Sequence, residues 1–207
     1  MKKLRRNVSE TGISDPLKWI LSLLYAAGGR SPSKIHIQKA LFIASRYVEE
    51  LRELLESAAY RMGPWSEEMN DMLEIARLNG LVSETKNELV LTETGTAKAE
   101  NIWIKLDERY RRILTDVAKF VNSMSEDELL LYIYITYGYS EKSDVINKLI
   151  KRRKELATNM LLKGLVSTEM AAKIAGEPLP KFIEYLRKRG IKPFTAEISD
   201  IENADKL

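Results

Sequence analysis

The stretch STEMAAKIAGEPLPKFIEYLRKRG, residues 167–190, decides how this chain is read. Ser167 is an N-cap residue type ahead of a short helix over 168–175. Gly176 supplies a corner, because glycine enters the left-handed backbone that a tight turn demands. A second helix, roughly 179–189, places Leu179, Phe182, Ile183 and Leu186 on one face at helical spacing. Its other face shows Lys181, Glu184, Tyr185 and Lys188, flanked by Arg187 and Arg189. Ala172 is small where the two helices must cross closely. From Lys173 to Lys192 there are six basic residues and two acidic ones, a surplus that suits phosphate. Two readings are open. One is a helix-turn-helix with a cationic reading face. The other is a helical hairpin whose basic end only complements the helix dipole. We take the first as the expectation, with Lys181, Tyr185 and Lys188 near bases and Lys173, Arg187, Arg189 and Lys192 near phosphates.

Outward from this segment, the 207 residues suit one large domain or two small ones. Apolar residues at 44% supply a core, and 30% charged residues with few Gly and Pro favour helices. The fold class expected is mainly α. The absence of cysteine excludes disulfides, thiolate metal sites and thiol nucleophiles. A single histidine, His36, excludes a His-rich metal site, and beside Ile35 and Ile37 it reads as a packing or capping residue. The net charge of +3 is mild, but the cations cluster in KKLRR at 2–6, KRRK at 151–154 and RKRGIK at 187–192. No apolar run approaches a membrane span, and no signal-peptide core succeeds the first charges. A cytoplasmic protein is expected.

Residues 1–13 read as a basic arm. SDP opens a helix with Ser14 or Asp15 as cap, carrying Leu17, Ile20, Leu21, Leu24 and Tyr25 on one face until GGRSPS stops it. Ser33 is the cap residue of the next helical segment. There Ile37, Leu41, Ala44, Val48, Leu51, Leu55 and Ala58 are spaced as one long helix with a seam, or as two helices with a break near Val48. Gly63-Pro64 makes a turn and Ser66 caps a helix whose stripe is Met69, Met72, Leu73 and Ala76, ended by Asn79-Gly80. Two β runs, 81–84 and 89–92, flank a Lys86-Asn87 turn. Three helices and a hairpin in this order make 14–97 a winged helix-turn-helix by pattern.

After TETG a long helix is expected to about Asn122, with Ala99, Trp103, Leu106, Tyr110, Ile113, Val117 and Phe120 as a seam. Trp103, Leu106, Tyr110, Ile113 and Val117 therefore have two uses: a homodimer contact, or packing inside the chain against the 35–58 helix. The homodimer is taken as the expectation, making 98–155 a connector and dimerisation region. Within it Ser125 caps a helix with Glu128 at the capping-box position, and one amphipathic helix runs on to a break at Gly164. The helix-turn-helix then occupies 156–195, and 196–207 is an acidic tail.

The chemistry is quiet. No phosphate loop, dinucleotide fingerprint or zinc spacing occurs, and pairs such as Glu50–Glu53 read as solvated helix faces. An enzyme built on the carboxylates of 49–74 would need an enclosed pocket that raises their pKa values. Tyr132, Tyr134, Tyr137 and Tyr139 read as packing or interface residues. The chain is read as a non-enzyme with no cofactor and no metal. The helix before the wing ordinarily enters the major groove. Here it carries Glu67, Glu68, Asp71 and Glu74 against Arg77, which repels phosphate. Trp65, Glu67, Glu68 and Asp71 are accordingly expected to hold a protein partner.

Two resemblances add to this. Residues 157–194 resemble a small prokaryotic family of uncharacterised, antitoxin-like helix-turn-helix proteins. The resemblance lies in Lys163-Gly164, Ser167, Ala171-Ala172, Ala175-Gly176, Phe182 and Arg189-Gly190-Ile191. The chain departs from that pattern at EPLP, where Glu177 stands at a usually apolar position and Pro178 and Pro180 stiffen the second helix. Gln38-Lys39, Tyr60, Gly63-Pro64-Trp65-Ser66 and Leu91-Thr92 are similar to the Panacea-type antitoxin domain and to archaeal winged-helix proteins. That similarity implies a toxin contact through the N-terminal module. The combined expectation is a DNA-binding, antitoxin-like transcriptional regulator. Its partners would be double-stranded DNA and a toxin or other protein, and no membrane. The alternative is an interaction module, such as a toxin neutraliser or adaptor, that never touches DNA.

Overall fold

A computed structural model describes residues 15–57, 67–85, 88–138 and 144–192. Among these lie eleven helices and a three-stranded antiparallel sheet, in two compact units, residues 1–126 and 127–207. The mainly helical class is as expected. The basic arm, Tyr60, Gly63-Pro64, Trp65, Ser66, Lys86-Asn87, Tyr139 and the 196–207 tail lie outside the described residues.

In the first unit, α1 (Asp15–Ala26) is the central helix. Trp19, Ile20, Leu21, Leu23 and Leu24 are all buried, so it is covered on more than the one face its spacing suggested. It packs against α2 (Lys34–Ala44), α4 (Glu67–Leu78), α5 (Glu93–Lys105) and α6 (Glu108–Asn122). The GGRSPS stretch does more than stop α1. Gly28 and Gly29, at φ 72° and 85°, turn the chain into β1 (Arg30–Ser31). β1 pairs with β3 (Leu89–Leu91), which pairs on its other side with β2 (Val82–Glu84).

Three helices break where the apolar spacing runs on. The 35–58 region is two helices, α2 and α3 (Glu49–Ser57), the second of its two readings, with Val48 buried at the break. Ser33 caps α2 by accepting from the His36 amide. The expected long helix from TETG to Asn122 is also two. Leu106 leaves helical geometry at φ −75°, ψ 142° to enter the core. Asp107 then caps α6, accepting from the Arg109 amide at 2.7 Å. The seam across this break turns onto the unit's own core. Trp103 packs on Tyr25 and Tyr110 on Trp19, with ring centroids 5.5 and 5.9 Å apart. Leu106 and Val117 are buried and Ile113 is half-buried. Trp103 and Tyr110 thus pack on α1 rather than on the 35–58 segment, α6 packs on both α1 and α2, and Ile113 lines an open depression.

The second unit comprises α7 (Glu126–Tyr137), α8 (Asp144–Lys151), α9 (Arg153–Leu162), α10 (Thr168–Ala175) and α11 (Leu179–Lys188). The amphipathic stretch before Gly164 is interrupted at Arg152, which pairs with Asp127 at 2.6 Å and Glu155 at 3.1 Å. Glu128 is buried and receives the Lys163 ammonium at 2.6 Å.

Two sites in the first unit test the packing. Gly95 has no room for a side chain, since a Cβ there would overlap the Leu81 carbonyl. Gly95→Ala should cost about 3 kcal/mol, seen as a lowered unfolding midpoint in urea. His36 is buried; its Nε2–H donates to the Met124 carbonyl at 3.1 Å and its Nδ1 accepts from the Ser33 hydroxyl at 2.8 Å. Burial pushes its pKa below 6.5, against the opposing effects of the Met124 carbonyl and Glu126. The unfolded chain therefore binds the extra proton first. Stability from this group is full above pH 6.5 and is lost as pH falls through the depressed folded value. In paired urea titrations at about pH 7.5 and about pH 5, His36→Gln should lose less stability between the two than the native chain.

Candidate nucleic-acid interface

The corner between α10 and α11 is built by three residues far apart in sequence. Ser167 caps α10, its hydroxyl accepting from the Met170 amide at 3.2 Å. At the other end Gly176 sits at φ 71°, ψ 32°, and the Glu177 amide donates back to Ala172 at 3.0 Å. Two further carbonyls at this end are met by a guanidinium from α9. Arg153 Nε donates to the Ile174 carbonyl at 2.7 Å and its Nη2 to that of Lys173 at 3.1 Å. Burial lowers the Arg153 pKa, while the field of Glu177 opposes that shift. A Cβ at residue 176 would meet this guanidinium and push it aside, so glycine there suits both the positive φ and the Arg153 contact.

The two prolines fit this corner. Pro178 holds the cap position of α11 at φ −58°, ψ 140°, and Pro180 lies in the first turn, where no intrahelical donor is needed. The Phe182 amide closes the turn on the Pro178 carbonyl at 3.0 Å. Phe182 and Leu186 are fully buried, and Leu179 and Ile183 half-buried, as their spacing predicts. Ala171, Ala172, Ile174 and Ala175 of α10 are buried as well.

The outward arc of α11 consists of Pro180, Lys181, Glu184, Arg187 and Lys188, all exposed. Of the residues expected near DNA, Lys181, Arg187 and Lys188 share this arc. Lys173 is exposed on α10, and Lys192 is exposed beyond α11. Tyr185 is placed differently from the expectation that it faces bases. Its ring is half-buried on the flank, stacked on Phe182 at 5.9 Å, with the Arg189 guanidinium 4.7 Å and the Lys154 ammonium 5.8 Å from its centroid. Glu184 takes the middle of the arc instead and pairs with Lys188 at 2.7 Å. That hydrogen bond, with the Lys188 charge, holds the Glu184 carboxyl below the ordinary carboxylate range. Lys154 also pairs with Glu177 at 2.5 Å. Its ammonium, with the fields of Lys181 and Arg153, holds the Glu177 carboxyl low.

Arg153 and Lys154 were visible in sequence only as part of the basic cluster KRRK. A signal for Arg153 was present. It stands three, four and seven residues before the buried Leu156, Ala157 and Met160, the spacing of their own stripe. A cation at a core position needs an internal acceptor, and the end of α10 is that acceptor.

The residues expected to hold a protein partner divide. Asp71 is exposed on α4. Trp65 lies outside the described residues, as do the side chains of Glu67 and Glu68, which begin α4. Three of the described carboxylates of 49–74 stand in ion pairs: Glu49 with Arg52, Glu50 with Lys18, and Glu74 with Lys34 and Arg77. Hydrogen bonds from Lys34 and Arg77 lower the Glu74 pKa, opposite to the shift a general acid requires. An open depression of about 540 Å³ in the first unit is lined by Tyr47, Glu108, Arg109, Arg112, Ile113 and Asp116. Among the described residues no group of three or more Asp, Glu or His is placed to hold a metal, and no helix is long and apolar enough to cross a membrane. No family model matches the chain, and neither does any curated protein or solved structure.

The corner makes a direct prediction. Arg153→Met keeps the stem but strips the Ile174 carbonyl of its donor and leaves that of Lys173 with the Gly176 amide alone, and should destabilise the second unit by about 1–3 kcal/mol. Gly176→Ala should cost at least as much, through positive φ and overlap together. Chemical denaturation tracked by the fluorescence of Tyr185 and its neighbours would measure both.

Proposed function

We propose that this chain is a DNA-binding transcriptional regulator of antitoxin type, acting in the cytoplasm. In this reading α10 and α11 form a helix-turn-helix and α11 enters the major groove. The observation that carries it is the exposed arc of α11, where Lys181, Arg187 and Lys188 stand together above a fully buried Phe182 and Leu186. Lys173 and Lys192 extend the cationic surface to both sides. The Glu184–Lys188 pair is solvent-exposed, so a phosphate or base edge competes for Lys188 in place of a weak, screened partner.

The first unit supplies the partner module. Its order α1, β1, α2, α3, α4, β2, β3, with β3 between β1 and β2, supports a winged helix-turn-helix with one extra helix. Asp71 and Glu74 on α4 argue against phosphate contact there and favour a protein, such as a toxin. A second reading, an adaptor without DNA binding, rests on the same acidic helix. No catalytic step or cofactor belongs to either reading.

Anisotropy titrations of a labelled duplex across a salt series would decide between them. Binding should weaken linearly in log salt. Lys181→Ala with Lys188→Ala should flatten the slope by about one unit for each phosphate that is no longer neutralised. A chain that shows no salt-dependent duplex binding would remove the regulator reading and leave the adaptor.

A further inference from the structure

The buried stripe of α4 is Met69, Leu73 and Ala76, which packs inward on α1. At about 100° per residue the opposite side of the helix is centred on Asp71. Ile75 and Leu78 fall on that side, at i+4 and i+7 from Asp71, and are 39% and 76% exposed. Glu74 borders the arc. Among the described residues, two cations stand at its margin. Lys34 bridges Glu74 and Glu84 at 3.0 Å each, and Arg77 pairs with Glu74 at 2.9 Å. The described outward side of α4 thus has an acidic half, Asp71 with Glu74 at its edge, and an apolar half, Ile75 and Leu78.

That pattern selects an occupant. Nucleic acid is repelled by the carboxylates and gains nothing from Ile75 and Leu78. A second copy of the same arc would set like charges against each other. A cationic segment with an apolar face satisfies both halves. We propose that this arc of α4 docks a cationic amphipathic helix of a protein partner, with Asp71 and Glu74 facing its basic side chains and Ile75 and Leu78 its apolar ones. The inference rests on the reading of the first unit as a partner module and adds the chemistry of that partner. It is independent of duplex binding by α11.

Three fluorescent synthetic helices of equal length serve as probes: a Leu/Lys amphipathic peptide, a Leu/Glu peptide, and a Ser/Lys peptide with charge but no apolar face. The full chain should bind the Leu/Lys peptide tightest, and salt should weaken it. Ile75→Ser with Leu78→Ser should weaken that binding by about tenfold or more, and Asp71→Lys likewise. All three residues are exposed, so thermal melts should be unchanged. Glu49→Gln with Glu53→Gln on α3, equally acidic and exposed, should leave binding intact. Equal binding of the Ser/Lys or Leu/Glu peptide overturns the proposal, as does indifference to the α4 substitutions. Self-association of the chain that the same substitutions abolish also overturns it, by assigning the face to a second copy. If no peptide binds while a duplex does, the docking inference falls and the regulator reading stands.

Discussion

The guanidinium of Arg153 on the last carbonyls of α10 is the contact that gives the second unit its shape. A helix of eight residues has little stability of its own, because nucleation is costly and few internal bonds repay it. Its C-terminal carbonyls carry negative partial charge and would otherwise be satisfied by water. Arg153 meets two of them with one rigid, planar group. The absent Cβ of Gly176 leaves room for it. Helix α9 is thereby joined to the corner, and this sets the direction in which Pro178 starts α11. The exposed cations of α11 share one arc by their helical spacing, and this half-buried cation ties down the corner from which that helix starts.

The same contact separates cations that hold the fold from cations that face solvent. In KRRK, Arg152 pairs with Asp127 and Glu155, Arg153 is committed to carbonyls, and Lys154 pairs with Glu177 while lying over Tyr185. A charge count treats these as equivalent to Lys181. They differ in what displacing them would disrupt. Removing Arg153 leaves the part-buried Ile174 carbonyl without a donor. Drawing Lys181 toward a phosphate requires no break in the fold.

Local signals were legible in the sequence wherever a side chain acts on its own backbone. Ser33 and Ser167 cap helices as their types suggest, Gly80 and Gly176 end helices in left-handed geometry, and Phe182 and Leu186 lie inside. The helix breaks at Leu106, near Val48 and at Arg152 were hidden or ambiguous, because apolar spacing continues straight across each of them. A periodic pattern reports which residues are buried, not whether one axis carries them all. Asp107 was the one local sign at the Leu106 break, a capping residue inside a helical pattern. Strand β1 has two residues and no period, so it exists only through its pairing with β3. The placement of Tyr185 is also tertiary. Its spacing allows a groove-facing position, and its contacts with Phe182, Arg189 and Lys154 draw it to the flank.

An acid at the middle of a cationic arc has a physical consequence for the reading proposed. Non-specific affinity for a duplex is mostly phosphate neutralisation, and Glu184 opposes it wherever α11 lies near the backbone. A carboxylate gains a partner in the major groove only where a donor faces it, and the N4 amino group of cytosine is such a donor. Glu184 would then weaken every site but those that present one. Lys188, released from its pair, would find the acceptors of a guanine. A purely basic arc binds more tightly to all sequences alike. In the reading proposed, the mixed arc of α11 would exchange some of that affinity for a larger ratio between right and wrong sites, the quantity that matters where wrong sites vastly outnumber right ones.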